Sequence, residues 1–253
     1  MRCLFIFLMS LVISNLSGQE TSYSNLSNSQ KNKQTFFSIN YTYQIPKGSL
    51  SEKFGDNSSI QITYLIEKPS NLFFGIELGY LFGNNVKDSM LFESISTTDG
   101  YIIGSDGRYA TELLMQRGFD SYLFLGYAIH SKPNNLSGLY LSAGLGYLQH
   151  KIFIDTRNQN LPQLNNEYKK GYDLLTDGIS SKLSIDYKYF SRQGFQFSIG
   201  VNYILARTKN QRTYSFNEMS YLSNKKKWDQ LLGFKAGIII PIQKVNQEEY
   251  YYR

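Results

Sequence analysis

The chain has 253 residues, enough for one large domain or two small ones, and its 42% hydrophobic content alone would suit a soluble protein. Against that, 21 Tyr and 17 Phe beside one Trp raise aromatics to 15%, a profile shared with membrane barrels. A formal charge of +6 is too modest for a nucleic-acid partner and suits an anionic surface, and a single cysteine excludes disulfides and Cys-based metal centres.

In chain order the first feature is Arg2 followed by an apolar stretch, 3–13, and a small-residue exit ending Ser17-Gly18-Gln19. That layout predicts a secretory signal over 1–18, too short to span a bilayer, which takes about 20 residues. Its loss removes Cys3 and Arg2, so the remaining chain carries +5 from the initial +6. Residues 19–34, QETSYSNLSNSQKNKQ, read as a flexible periplasmic lead-in.

Strict period-2 alternation begins next. In 35–45 Phe37, Ile39, Tyr41, Tyr43 and Ile45 alternate with Ser38, Asn40, Thr42 and Gln44, a strand signal. Comparable segments follow at 59–67, 72–82, 119–130, 139–155, 179–190, 195–208 and 230–242. Most have the roughly 9–11 residues a tilted transmembrane strand needs, whereas soluble strands average about 5–6. Short linkers, 68–71, 131–138 and 191–194, alternate with long ones, 46–58, 83–118, 156–178 and 209–229. All long loops therefore share one end, the asymmetry of barrels with short periplasmic turns and long extracellular loops. The predicted fold is all-β: an eight-stranded antiparallel up-and-down transmembrane β-barrel over 35–242, with a 243–253 tail. A soluble cup is disfavoured, because the Gly, Ser, Asn and Lys face is too polar for an oily interior. The 83–118 linker is expected to let the third and fourth strands run on as a protruding hairpin. Tyr250 to Tyr252 stand where assembly machinery reads a terminal aromatic, although Arg253 comes last.

Candidate chemistry is sparse. His130 and His150, the only histidines, fall on the polar faces of neighbouring strands but about 35 Å apart along the barrel at about 3.3 Å per residue. They cannot share a metal; His130 reads as a turn-side hydrogen bonder and His150 as a solitary rim or lumen residue. No His-x-Ser arrangement of a lipid A deacylase exists, nor the acidic pairs of an omptin-like protease. Gly144-x-Gly146 lacks a third glycine and a following helix, so it is no phosphate loop. With Gly75, Gly79, Gly126, Gly200, Gly233 and Gly237 it marks a lumen face where missing side chains make room for bulky neighbours.

The informative polar residues are charged ones on that face. Glu77, Asp186 and Lys235 should sit near mid-height, with Lys182 and Lys188 a layer above and below, as a salt-bridge network plugging the barrel. On the long-loop side Lys169, Lys170, Lys225, Lys226 and Lys227, with Lys151 and Arg207 facing outward at strand tops, form a basic rim suited to lipopolysaccharide phosphates.

With its eight strands in place, the chain resembles the small outer-membrane barrels of the OmpA, OmpX and OmpW type. The stretches RGF at 117–119, GLGYLQHKI at 144–152 and PQLNNEYKKGYDLLTDG at 162–178 resemble an outer-membrane protein family of Bacteroidota, and the 18–20 signal exit is similar to signals of that phylum. The resemblance implies a structural barrel in the cell outer membrane, with no cofactor, no metal and no catalytic residues. Its implied partners are outer-membrane lipid, lipopolysaccharide, the barrel assembly machinery and an envelope protein, not nucleic acid. No wall-anchoring domain is expected after the barrel. The expected function is non-enzymatic, structural or by surface interaction. The alternatives are a narrow OmpW-like transporter of small apolar molecules and an accessory barrel of a type IX-like secretion complex.

Overall fold

The computed structural model describes residues 33–88, 91–110, 112–132, 135–157, 161–191, 195–222 and 225–242. The 1–18 signal, nearly all of the 19–34 lead-in and the 243–253 tail lie outside the described residues.

Among the described residues twelve strands follow one another: β1 (Gln34–Gly48), β2 (Asn57–Glu67), β3 (Leu72–Gly83), β4 (Ile102–Ile103), β5 (Tyr109–Ala110), β6 (Leu113–Lys132), β7 (Asn135–Asp155), β8 (Thr176–Tyr189), β9 (Phe197–Asn210), β10 (Tyr214–Ser215), β11 (Ser220–Tyr221) and β12 (Lys227–Pro241). Eight of them close a ring in the order β1-β12-β9-β8-β7-β6-β3-β2, each antiparallel to its chain neighbour, while β4–β5 and β10–β11 are two-residue hairpins in the long loops. The eight alternating segments of the sequence are the eight ring strands.

Closure is staggered. Tracing paired residues once around the ring leads from Asp120 through Gly79, Gln61, Asn40, Gly237, Ser198, Lys188 and Gly138 to His130, ten residues along β6 from the start. Eight strands with that stagger tilt by about 40° and leave an interior just wide enough for side chains.

Such an interior is filled by placing large residues over small ones. A Cβ on Gly75 would strike Phe124, on Gly126 Phe73, on Gly79 Asp120, on Gly200 Asp186, on Gly233 Asn202 and on Gly237 Asn40. The lumen glycines are therefore seats for neighbouring side chains. Gly48 has a different role: at φ +64° it turns the chain out of β1 into the one-turn helix α1 (Ser49–Lys53).

The protruding hairpin is not where the sequence placed it. β3 ends at Gly83, and its last pair is Gly83 with Gln116. It is β6 and β7, 20 and 21 residues long, that rise together above the ring to the pair Leu113–Asp155. Their inner residues Ile152 and Ile154 are buried, which the 83–118 linker achieves by folding Leu91, Phe92, Ile102 and Ala110 into the same apolar cluster. Leu161, Leu164, Tyr172 and Leu174 join from the next loop. The gain from burying these side chains favours a folded cap over an extended hairpin, at about 1.5–3 kcal/mol per large apolar residue before ordering costs. At the opposite end β6 and β7 run on to within two residues of each other, so the 131–138 linker is mostly strand.

Gly126→Val should destabilise the barrel by about 1–3 kcal/mol, because the added carbons overlap the Phe73 ring and the Leu141 carbonyl. Urea unfolding followed by fluorescence of Trp228, the single tryptophan, measures it.

Candidate functional site

From the periplasmic end upward the lumen is layered. Its floor is Phe36, Leu65, Phe73, Ala128, Tyr140 and Ile239, all buried, with the Phe73 and Tyr140 ring centroids 5.3 Å apart. Here the Tyr140 hydroxyl donates to Glu67 Oε2 at 2.9 Å, and His130 Nε2 lies 2.8 Å from Glu67 Oε1, an ion-pair distance without hydrogen-bond alignment. Lys188 rests on this floor, its Nζ 4.3 Å from the Tyr140 ring centroid and 5.6 Å from that of Phe73.

Charge fills the middle. Lys235 Nζ reaches both oxygens of Asp186 at 2.8 Å, and Lys182 pairs with Glu77. A hydrogen-bonded chain continues outward: Thr63 to Glu77 Oε2 at 3.3 Å, Asn40 to Thr63 at 3.2 Å, and Ser198 to Asn40 at 3.0 Å. The remaining space among these groups is a cavity of about 30 Å³. Thus the structure brings four of the five expected charges into two ion pairs, with Lys188 held by aromatic faces.

Leu81, Leu148, Ile204 and Leu231, all fully buried, form the ceiling, with Gln44, Ser59 and Asp120 completing the ring at that level. Asp120 is fully buried, with neither oxygen hydrogen-bonded among the described residues. Alternation put it on the lumen face, but a lone acid in a strand gives no sign of its partners.

Above the ceiling His150 corrects the reading of a solitary residue. It points inward, and its Nε2 is 3.0 Å from Asp229 Oδ2, which also accepts from Thr208 at 2.6 Å. The Phe54 ring meets the imidazole edge-on at 5.7 Å. Among the described residues no group is hydrogen-bonded to His150 Nδ1. Asp229 sits 79 positions along the chain, out of reach of any local motif. At the mouth, Lys53 of α1 has its ammonium pKa lowered, first by burial and then by the charge of Lys227.

The outer wall has the opposite character. Ile39, Ile62, Ile76, Leu125, Leu145, Leu183, Ile199 and Phe234, one on each ring strand, are all between 45% and 70% exposed. A continuous apolar belt of this size has no place in water, where exposed apolar patches rarely exceed a few hundred Å². This is a transmembrane β-barrel. Its upper edge is marked by tyrosines turned toward polar groups: Tyr41 to Ser58 at 2.7 Å, Tyr43 to Asp56 at 2.5 Å, Tyr147 to Asp177 at 2.6 Å and Tyr203 to Gln230 at 2.9 Å. No helix among the described residues is long and apolar enough to cross a membrane.

Just above that edge stands the basic wall. Lys151 pairs in register with Arg117, and Arg117 lies 5.8 Å from the Phe153 ring. Arg207 lies 5.8 Å from the Trp228 ring, and Lys209 follows two residues higher on the same face. Arg117 and Lys209 complete a cluster of which the sequence reading had only Lys151 and Arg207; their strand parity already placed them there. The loop lysines divide. Lys169 is half-buried, Lys170 pairs with Glu167 at 3.2 Å, Lys225 and Lys226 are exposed, and Lys227 turns toward the lumen mouth. Arg212, absent from the expected set, clamps the cap by a two-pronged contact to Asp173 at 2.8 and 2.6 Å.

No family model matches the chain, and no curated protein is recognisably similar to it. Solved structures that resemble it are small outer-membrane barrels. Neisserial surface protein A aligns with a TM-score of 0.43 and 11% identity over 83% of this chain and 98% of that one. Ail, the attachment invasion locus protein of Yersinia pestis, gives 0.40 and 9% over 83% and 99%. The outer membrane protein OprG of Pseudomonas aeruginosa gives 0.36 and 15% over 83% and 98%. Likenesses this low assign no role to any residue of the barrel.

Two outcomes test the site. Lys182→Met should cost about 3–5 kcal/mol by leaving Glu77 buried and unpaired, and adding Glu77→Gln should recover much of it in the same urea titration. Arg212→Ala should leave barrel unfolding unchanged while limited proteolysis of the inserted protein cuts 156–175 and 211–226 faster.

Proposed function

We propose that this protein is a closed integral barrel of the cell outer membrane that works by surface contact rather than by conduction or catalysis. The observation that carries this reading is the layered lumen. A charged, paired middle lies between an aromatic floor and the Leu81, Leu148, Ile204 and Leu231 ceiling, and the cavity among the charged groups measures about 30 Å³. An ion would have to pass the side chains packed at floor and ceiling, and an apolar solute would have to cross the ion pairs between them.

The folded cap then becomes the working face. Its loops share a core with the barrel mouth, so they present a fixed surface to the outside, as a structural or interaction role requires. The basic wall of Arg117, Lys151, Arg207 and Lys209 above the tyrosine edge sits at the level of lipopolysaccharide phosphates. Arg, which is disposed toward bidentate phosphate contacts, and the aromatic rings beside it suit that partner.

Planar-bilayer recording of the refolded protein should show no discrete openings. Stable unitary currents would overturn the plug and favour the transport reading. Lipopolysaccharide should retard the folded protein in native gels, and the combined variant Arg117→Gln, Lys151→Gln and Arg207→Gln should lose at least half of that shift. Unchanged retardation would remove the basic wall from the proposal. Recovery of a stable envelope complex by cross-linking in intact cells, with lipopolysaccharide binding absent, would favour the accessory role in a secretion assembly.

A further inference from the structure

Where α1 folds across the barrel mouth it leaves a small cleft lined by Ser49, Lys53, His150, Asn210, Lys227 and Asp229. Its charge is unbalanced. Among the described residues no carboxylate lies within ion-pair distance of Lys53 or Lys227. Glu52, Asp88 and Glu218 act on Lys53 only from farther away. Asp229, two residues from Lys227 on the same face, already receives His150 and Thr208 on one oxygen. Lys53 and Lys227 line the same half-enclosed space, where an anion placed between their ammonium groups would stabilise both.

The imidazole adds a second requirement. A carboxylate only accepts hydrogen bonds, so beside Asp229 the neutral imidazole of His150 carries its proton on Nε2 and leaves Nδ1 as an acceptor. Nδ1 is buried and has no partner among the described residues, and His150 is itself only 5% exposed. A group that satisfies it must bring its own hydroxyl hydrogen.

We propose that this cleft binds a small oxyanion that also carries a hydroxyl, namely hydrogen phosphate or a phosphate monoester of a sugar. Lys53 and Lys227 take the charge of the phosphoryl oxygens, and His150 Nδ1 accepts from the P–OH or from a neighbouring sugar hydroxyl. Sulfate has the charge but no proton to donate at neutral pH, so the site discriminates against it. The cleft opens to the extracellular side, separate from the outward basic wall, and does not depend on that wall binding lipopolysaccharide.

Isothermal titration of the full folded chain, in detergent micelles free of lipopolysaccharide, tests this with inorganic phosphate, glucose 1-phosphate and sulfate. Phosphate or glucose 1-phosphate should give a saturable isotherm in the millimolar range or tighter, with sulfate at least fivefold weaker. Tighter binding of glucose 1-phosphate identifies a sugar phosphate as the occupant, and tighter binding of phosphate identifies the free anion. Lys53→Gln with Lys227→Gln should weaken binding at least tenfold, while Lys170→Gln on the cap surface should not change it. Heat-modifiable mobility confirms that each variant is folded, and either single lysine variant replaces the double should it misfold. Absence of saturable binding, equal affinity for sulfate, or full binding by the folded double variant would overturn the proposal.

Discussion

A strand in hydrocarbon has no water to satisfy its N–H and C=O groups, so every one must be paired with another strand. In this protein that constraint closes eight strands into a ring with a ten-residue stagger, and the rest follows from the size of the ring. The interior admits side chains and little else, so each bulky inward residue must find a small one beside it. Hence Phe73 lies over Gly126, Phe124 over Gly75 and Asp186 over Gly200. Inside and outside are inverted relative to a soluble protein: the apolar face meets lipid and the polar face must satisfy itself.

The polar face does so in layers. The ion pairs of Glu77 with Lys182 and Asp186 with Lys235 bring together residues far apart in the chain, on strands that are not hydrogen-bonded to each other. Neither pair is strong evidence of net stabilisation, since desolvation offsets much of the attraction. Their effect is on register: shifting one strand by a single residue would turn a lumen charge into the lipid and leave its partner unpaired. Aromatic side chains at one end and Leu81, Leu148, Ile204 and Leu231 at the other pack against these charges.

The extracellular end is organised by the β6–β7 hairpin, which carries the inner wall upward beyond its neighbours. Loops that would otherwise be solvated pack on Ile152 and Ile154, and the Arg212–Asp173 clamp ties two of them together. Two cationic surfaces result. One faces outward among Phe153 and Trp228 at the membrane edge, and the other faces inward at the mouth, where Lys53 meets Lys227. They differ in chemistry because strand parity sends alternate residues of the same strand, such as Lys227 and Trp228, to opposite sides.

The alternation in stretches such as 35–45 and 195–208 determined by itself which residues face lipid, how many strands the ring has and which loops share an end. Period-2 patterning is local, so composition suffices to read it, and the lumen charges and glycines came with it. Pairing is not local. Nothing near His150 announces Asp229, nothing near Glu77 announces Lys182, and the small cleft beside Lys53 exists only because α1 turns inward over the mouth. The height of the β6–β7 hairpin was decided in the same way, because the 83–118 linker buries its apolar residues against β7 instead of extending with β3. The one-dimensional pattern sets which side of the wall a residue takes. Only closure of the ring, with its stagger, sets which residue it meets across the lumen.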